Sequence, residues 1–318
     1  MKNSYPKYAV FLLSVLFIMS IISCKKSATE SPNQNTEPLF YLENTNPAYP
    51  DGNGPDIYLD EGHYNRHTYG GLGSYIAFKD VLIKDGYQII SSEDQFTATS
   101  LQNVKLLVIP LAQDEKNLEP FWENPVYSAF NQSEIAAIKN WVENGGSLFL
   151  IVDHHPFAGA SKDLAMEFGF ELFNGHAEDF SQKEHDIFYR ANGTLGSNII
   201  TNGRDITEKV DSIKTFSGAA LKIPEDASPI LTFDGAWEQW LPEVAWDFSN
   251  IESESIEGLS QGAFKRFGNG KIVVFGDGNM FSAQSTDWGG NMGFIDPNAK
   301  HNHKLLLNIV HYLDGLID

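Results

Sequence analysis

The stretch SLFLIVDHHPFAGA, residues 147–160, decides the architecture. Leu148 to Val152 is an unbroken apolar run, introduced by Asn144-Gly145-Gly146. A short run that is apolar at every position reads as a strand buried on both faces, as in the middle of a parallel sheet. It stops at Asp153-His154-His155-Pro156, where three ionisable side chains follow one another. Pro156 has no N–H for a ladder and steers His155 away from helical geometry. Gly159-Ala160 then leads into residues 161–168, SKDLAMEF, which carry helical spacing. Polar chemistry therefore falls at the carboxyl end of a central strand, just ahead of a helix. Open α/β sheets bind their ligands along that edge.

The same grammar recurs on either side. Upstream, residues 55–60 read as a strand ending in Asp60-Glu61-Gly62-His63, and the glycines of residues 69–73 permit tight turns. A helix is expected over 74–84, with Tyr75, Ile76, Phe78, Val81 and Leu82 on its apolar side, closed by Asp85-Gly86. Strands follow at 87–90 and 104–109. A helix begins at Asn131-Gln132-Ser133-Glu134, with Ile135, Ile138, Trp141 and Val142 facing inward. Downstream, residues 171–175 and 228–233 read as strands in a stretch, about 176–250, that is otherwise irregular. Residues 262–267 and 271–275 flank Gly268-Asn269-Gly270 as a β-hairpin. A closing helix spans 302–313, and His301, His303 and His311 read as its start and its surface. The expectation is a mostly parallel open sheet with helices on both faces, a C-terminal β-hairpin and a closing helix, in a single domain over 54–318.

Of 318 residues, 42% are hydrophobic and 13% aromatic, enough for a large packed core. A formal charge of −20 with no basic run beyond Lys25-Lys26 excludes nucleic acid as a partner. Lys2 and Lys7 precede an apolar run over 9–22 that is short for a membrane span. It ends in Ile21-Ile22-Ser23-Cys24, which resembles the lipobox of bacterial lipoproteins. Residues 1–23 then form a signal peptide. Cys24 carries the lipid, palmitate included, and residues 24–53 form a flexible tether rich in Ser, Thr, Asn and Pro. Cys24 is the only cysteine, so an intrachain disulfide is impossible.

Three strand ends, Asp60-Glu61-Gly62-His63, Asp153-His154-His155 and Gly276-Asp277-Gly278-Asn279, can converge because parallel strands finish on a common edge. Asp60, Glu61, His63, His67, Asp153, His154 and Asp277 could ligate Zn or a harder ion, although no H-E-x-x-H signature is present. His63 and His67 are four apart, which suits a helical face or a loop. If His154 and His155 are extended, only one of them faces the pocket. Metal-free hydrolysis would use His63 or His154 as base and Glu61 or Asp153 to orient it, with water as the attacking group. No G-x-S-x-G elbow supplies a nucleophile. The alternative is structural: such groups also fix loops at strand ends, and Asn174-Gly175 and Asn291 suit turns. Trp237, Trp240 and Trp246 read as core packing or as a sugar-stacking platform.

Residues 60–68, 153–160, Phe173-Asn174-Gly175, 276–284 and Asn291-Met292 together resemble an uncharacterised bacterial family. That family is placed among class I glutamine amidotransferase-like domains with a flavodoxin-like sheet. The resemblance implies that fold over about 55–316. Glutamine amidotransferases use a cysteine on a strand-to-helix turn, and this domain has none. The expected function is a lipid-anchored envelope protein that binds a small molecule or saccharide without glutaminase activity. The alternative is a cysteine-independent, metal-assisted hydrolase. Candidate catalytic residues are Glu61, His63, Asp153 and His154. Candidate ligand-binding residues are Asp60, Asn65, His67, Asn174, Asp277, Asn279 and Gln284.

Overall fold

The computed structural model describes residues 40, 42, 44–68, 75–179, 186–285 and 290–318. The leader, Cys24 and the glycine turn at 69–73 lie outside them. In chain order β1 (Asp56–Asp60), α1 (Ile76–Lys84), β2 (Gln88–Ser92), β3 (Leu106–Pro110), α2 (Gln132–Glu143), β4 (Ser147–Ile151) and α3 (Phe157–Met166) follow the expected succession. The central stretch holds short elements: β5 (Glu171–Leu172), β6 (His176–Glu178), β7 (Ile187–Tyr189), α4 (Ile199–Asn202), β8 (Ser212–Lys214), β9 (Leu221–Lys222), β10 (Ser228–Thr232), β11 (Glu238–Trp240) and β12 (Glu254–Ser255). The chain closes with β13 (Ser260–Phe267), β14 (Gly270–Phe275), β15 (Ala283–Ser285), β16 (Asn291–Gly293) and α5 (Asn302–Asp314).

The main sheet runs β2-β1-β3-β4-β14-β13-β9-β5, and β10 also pairs with β13. The five strands from β2 to β14 are mutually parallel, while β13 returns antiparallel as the expected hairpin. Burial explains the apolar runs: every residue of β3, β4 and β14 is buried. Side-chain parity then sorts them into two layers. Leu106, Val108, Phe149, Ile151, Val273 and Phe275 pack with α1 and α5 on one face. Leu107, Ile109, Leu148, Leu150, Ile272 and Val274 pack with α2 and α3 on the other.

Three readings need correction. Ile76 is exposed on α1, because Tyr75 and Phe78 already fill the inner face. The helix after β4 begins at Phe157, not at residue 161. His311 is not on the helix surface. It is fully buried, with Nε2 at 2.6 Å from the buried Asp85 carboxylate. Asp85 also accepts from Asn44 Nδ2 (2.8 Å) and Ala48 N (2.9 Å), and Tyr49 packs edge-on against Tyr87. Residues 44–53, read as tether, are therefore held against the domain where α1 ends and the parallel strands begin.

Candidate functional site

Register decides which strand ends meet. Ile151 of β4 pairs with Phe275 of β14, so Asp153 and Asp277, each two residues on, lie side by side past the edge. Both carboxylates are fully buried. Asp153 accepts from His154 N (2.7 Å), Gly278 N (3.1 Å) and Asn279 Nδ2 (3.2 Å). Asp277 accepts from Phe216 N (2.7 Å), Asn279 N (2.8 Å) and Met280 N (3.3 Å). Burial raises both pKa values. Asp277 lies well above the usual range because Asp153 adds like-charge repulsion. A Cβ at Gly278 would displace the end of the Leu111 side chain.

His67 joins this pair from the first strand's loop. Its Nε2–H donates to Asn279 Oδ1 (3.2 Å), which also accepts from Gln284 Nε2 (3.1 Å). The His67 ring is buried against Tyr75, and burial lowers its pKa to about 4. His67, Asp153, Asn279 and Gln284 thus form one hydrogen-bonded chain.

His63 goes elsewhere. β3 lies between β1 and β4, so Asp60 sits about 10 Å across the sheet from β4 at the usual strand spacing. His63 is in a loop, not on a helix, and its Nδ1 and Nε2 meet Asp60 Oδ1 (2.9 Å) and Glu134 Oε1 (3.1 Å). A ring with two carboxylate partners donates from both nitrogens. Burial opposes that charge, but the carboxylates outweigh it and the pKa is raised. Glu134 also closes the capping box of α2 with Asn131, so His63 ties the first loop to that helix. Asn65 supports the same loop by donating to Asp60 Oδ2 (3.0 Å) and Pro110 O (2.8 Å). Half-buried Glu61 extends the β2 pairing through its N–H to Ser92 O (2.8 Å). The hydrogen bonds of His63 thus go to Asp60 and Glu134 rather than to Asp153. A polar cavity of about 350 Å³ lies beside His63, lined also by Gln113, Asp114, Asn131 and Glu134.

His154 and His155 sit in a turn, so the alternation of an extended strand does not apply, and both rings are buried. His154 donates through Nδ1 to His155 O (2.6 Å), which leaves its Nε2 3.8 Å from Asp153 Oδ1. His155 Nδ1 accepts from Asn174 Nδ2 (2.7 Å), whose Oδ1 caps Gly159 N (2.9 Å). Asn174 is thus a fastener between the turn, α3 and the strand that follows. Burial lowers the His155 pKa. Among the described residues no group of three or more His, Cys, Asp or Glu is placed to hold a metal ion.

His176 and Trp122, which were not singled out beforehand, complete the site with Trp246. His176 of β6 stacks on His154 at 4.7 Å, nearly parallel, and burial with His154 and His155 nearby pushes its pKa down to about 2. Trp246 lies 4.6 Å from His154 and 4.3 Å from His176 between ring centroids, yet stays 53% exposed. It holds φ +67, a left-handed conformation unfavourable for a bulky residue. Trp122 closes the other side of His154 at 5.9 Å, and its Nε1–H donates to Gln113 Oε1 (3.1 Å). The segments bearing the two tryptophans pair through Ala245 N to Trp122 O (2.8 Å). An open groove of about 720 Å³ runs along them, lined by Asn124, Lys162, Phe173, Asn174, Leu241 and Glu243. Only the tryptophan cluster pointed this way in sequence, and it divides: Trp237 stacks on Phe188 in the core.

No family model matches the chain, and no curated protein matches it. Solved structures do. The mmIFT52 N-terminal domain superposes with a TM-score of 0.56 at 15% identity, over 81% of this chain and 97% of that one. Looser overlaps include a ThuA-like protein from Parabacteroides merdae (TM-score 0.42, 10% identity, 82% and 89% of the two chains). Another is a ThuA-like protein from Bacteroides uniformis (TM-score 0.39, 11% identity, 87% and 94%). The chain is thus similar in fold to the mmIFT52 domain, with a mostly parallel α/β sheet.

Proposed function

We propose that the chain is a lipid-anchored cell-envelope protein whose domain binds a neutral saccharide at the carboxyl edge of the sheet, without glutaminase activity. The lipobox-like end at Cys24 supports the anchor. The sole cysteine precedes the domain, which leaves no thiol for a glutamyl thioester. What carries the binding reading is Trp246, a half-exposed indole packed against the buried His154 and His176 rings. A sugar offers a C–H face to stack on indole and hydroxyls to meet uncharged polar groups. His67, His155 and His176 are kept neutral by burial, so this edge suits an uncharged polyol better than an ion.

The test is titration of the full-length, detergent-solubilised protein with neutral envelope oligosaccharides, read by tryptophan fluorescence and melting temperature. A saturable fluorescence change with a raised melting temperature is expected. Trp246→Ala should weaken binding at least tenfold, about 1.4 kcal/mol. A panel that moves neither signal, or a Trp246→Ala protein of unchanged affinity, would sink the reading.

A further inference from the structure

We propose that Ser217 is an acyl-accepting nucleophile for small carboxylic esters, with His176 taking its proton and the Gly218 N–H receiving the oxyanion. The starting point is backbone strain. Ser217 holds φ +67, in the left-handed region, followed by Gly218 at φ +91. A non-glycine residue there is strained and persists only where its surroundings impose it. Here they do. Phe216 N is held by Asp277 Oδ2 (2.7 Å), and Ser217 O accepts from Gln261 Nε2 (2.6 Å). Gly218 O accepts from Ala177 N (2.9 Å), and a Cβ on Gly218 would overlap the Gly276 carbonyl. Asp277, a fully buried strand-end carboxylate, thus acts as a clamp on this turn.

The clamp aims the hydroxyl. Ser217 Oγ lies 3.4 Å from His176 Nδ1; both residues are buried, and the His176 ring packs 4.3 Å from Trp246. The His176 ring is fixed by its stack on His154. Its neutral form leaves the Nδ1 lone pair open to accept. Among the described residues His176 Nε2 and Gln261 Oε1 are buried without hydrogen-bond partners, which is uncommon for buried polar atoms. Among the described residues the Gly218 N–H donates to no recorded acceptor. It is the amide after the nucleophile, the position that serves oxyanions in strand-to-helix elbows.

In the reaction, Oγ bonds to the acyl carbon as its proton passes to Nδ1. The ester C–O bond breaks, and the departing alcohol oxygen takes that proton. Water then attacks the acyl-serine, giving a proton through the same ring to Oγ and releasing the acid. Because burial disfavours the imidazolium, acylation of an unactivated ester is expected to be slow. An activated phosphorus reagent is therefore the right first probe.

The experiment is reaction of the full-length protein with a fluorophosphonate, whose phosphorus bonds the serine oxygen as fluoride leaves, followed by peptide mass spectrometry. A single adduct on Ser217 is expected. It should be absent in Ser217→Ala and slowed at least tenfold in His176→Gln, both checked for folding by their melting transitions. Should Ser217→Ala not fold, Ser217→Gly serves, because glycine takes φ +67 without strain, and it too should carry no adduct. No adduct, or labelling that survives Ser217→Ala or Ser217→Gly, overturns the proposal. Labelling is read without any sugar. A protein labelled at Ser217 that binds no oligosaccharide keeps this inference and loses the previous one.

Discussion

Replacing His67 by glutamine should flatten the acid dependence of stability by a predictable amount. The folded ring is fully buried and titrates at about 4, whereas an unperturbed ring titrates at 6.5. Between those values the unfolded chain binds a proton that the folded chain refuses. The stability present above 6.5 is therefore lost progressively as pH falls toward the folded value. Integrating that difference from pH 7.5 to pH 5 gives about 2 kcal/mol for this one group. Glutamine is uncharged throughout, and its amide can still donate to Asn279 Oδ1. The assay is urea unfolding of wild type and His67→Gln at both pH values. Wild type should lose about 2 kcal/mol more than the variant on acidification. Subtracting the two proteins removes contributions from His176, His303, Asp153 and Asp277, which titrate in both. Parallel losses in the two proteins would refute the burial argument. So would a larger loss in the variant.

Other outcomes follow from the same contacts. Asp85→Ala removes the partner of buried His311 and the acceptor for Asn44 and Ala48. It should lower stability by about 3–5 kcal/mol, a roughly 6–20 °C drop in melting temperature by calorimetry. A change below about 1 kcal/mol would show that the pair is not held as described. Cys24→Ser should move the protein from the membrane to the soluble envelope fraction, and persistence in the membrane pellet would remove the lipid anchor.

The convergence of distant groups was legible because it needs only strand direction and the place where each apolar run stops. Asp153 and Asp277 end such runs, and they meet. What sequence could not supply was strand order. With β3 inserted between β1 and β4, the His63 loop is carried away to Glu134 while His67, four residues further, reaches Asn279. His154 and His155 were legible as functional or structural polar groups, but their directions come from a turn whose shape depends on Asn174. Ser217 gave no signal at all, since Phe-Ser-Gly-Ala is an ordinary loop composition and its strain comes from Asp277 and Gln261, distant in the chain.

Sequence alone determined the mostly parallel layered sheet, its apolar strands and the edge at which polar chemistry gathers. Those are properties of periodicity and of residues that cannot continue a strand, and both are local. Tertiary structure decided which of the polar groups share a space, that His311 is an interior partner of Asp85, and that Trp246 covers two buried histidines. Each of those depends on which elements lie side by side, and adjacency is set by packing of the whole domain.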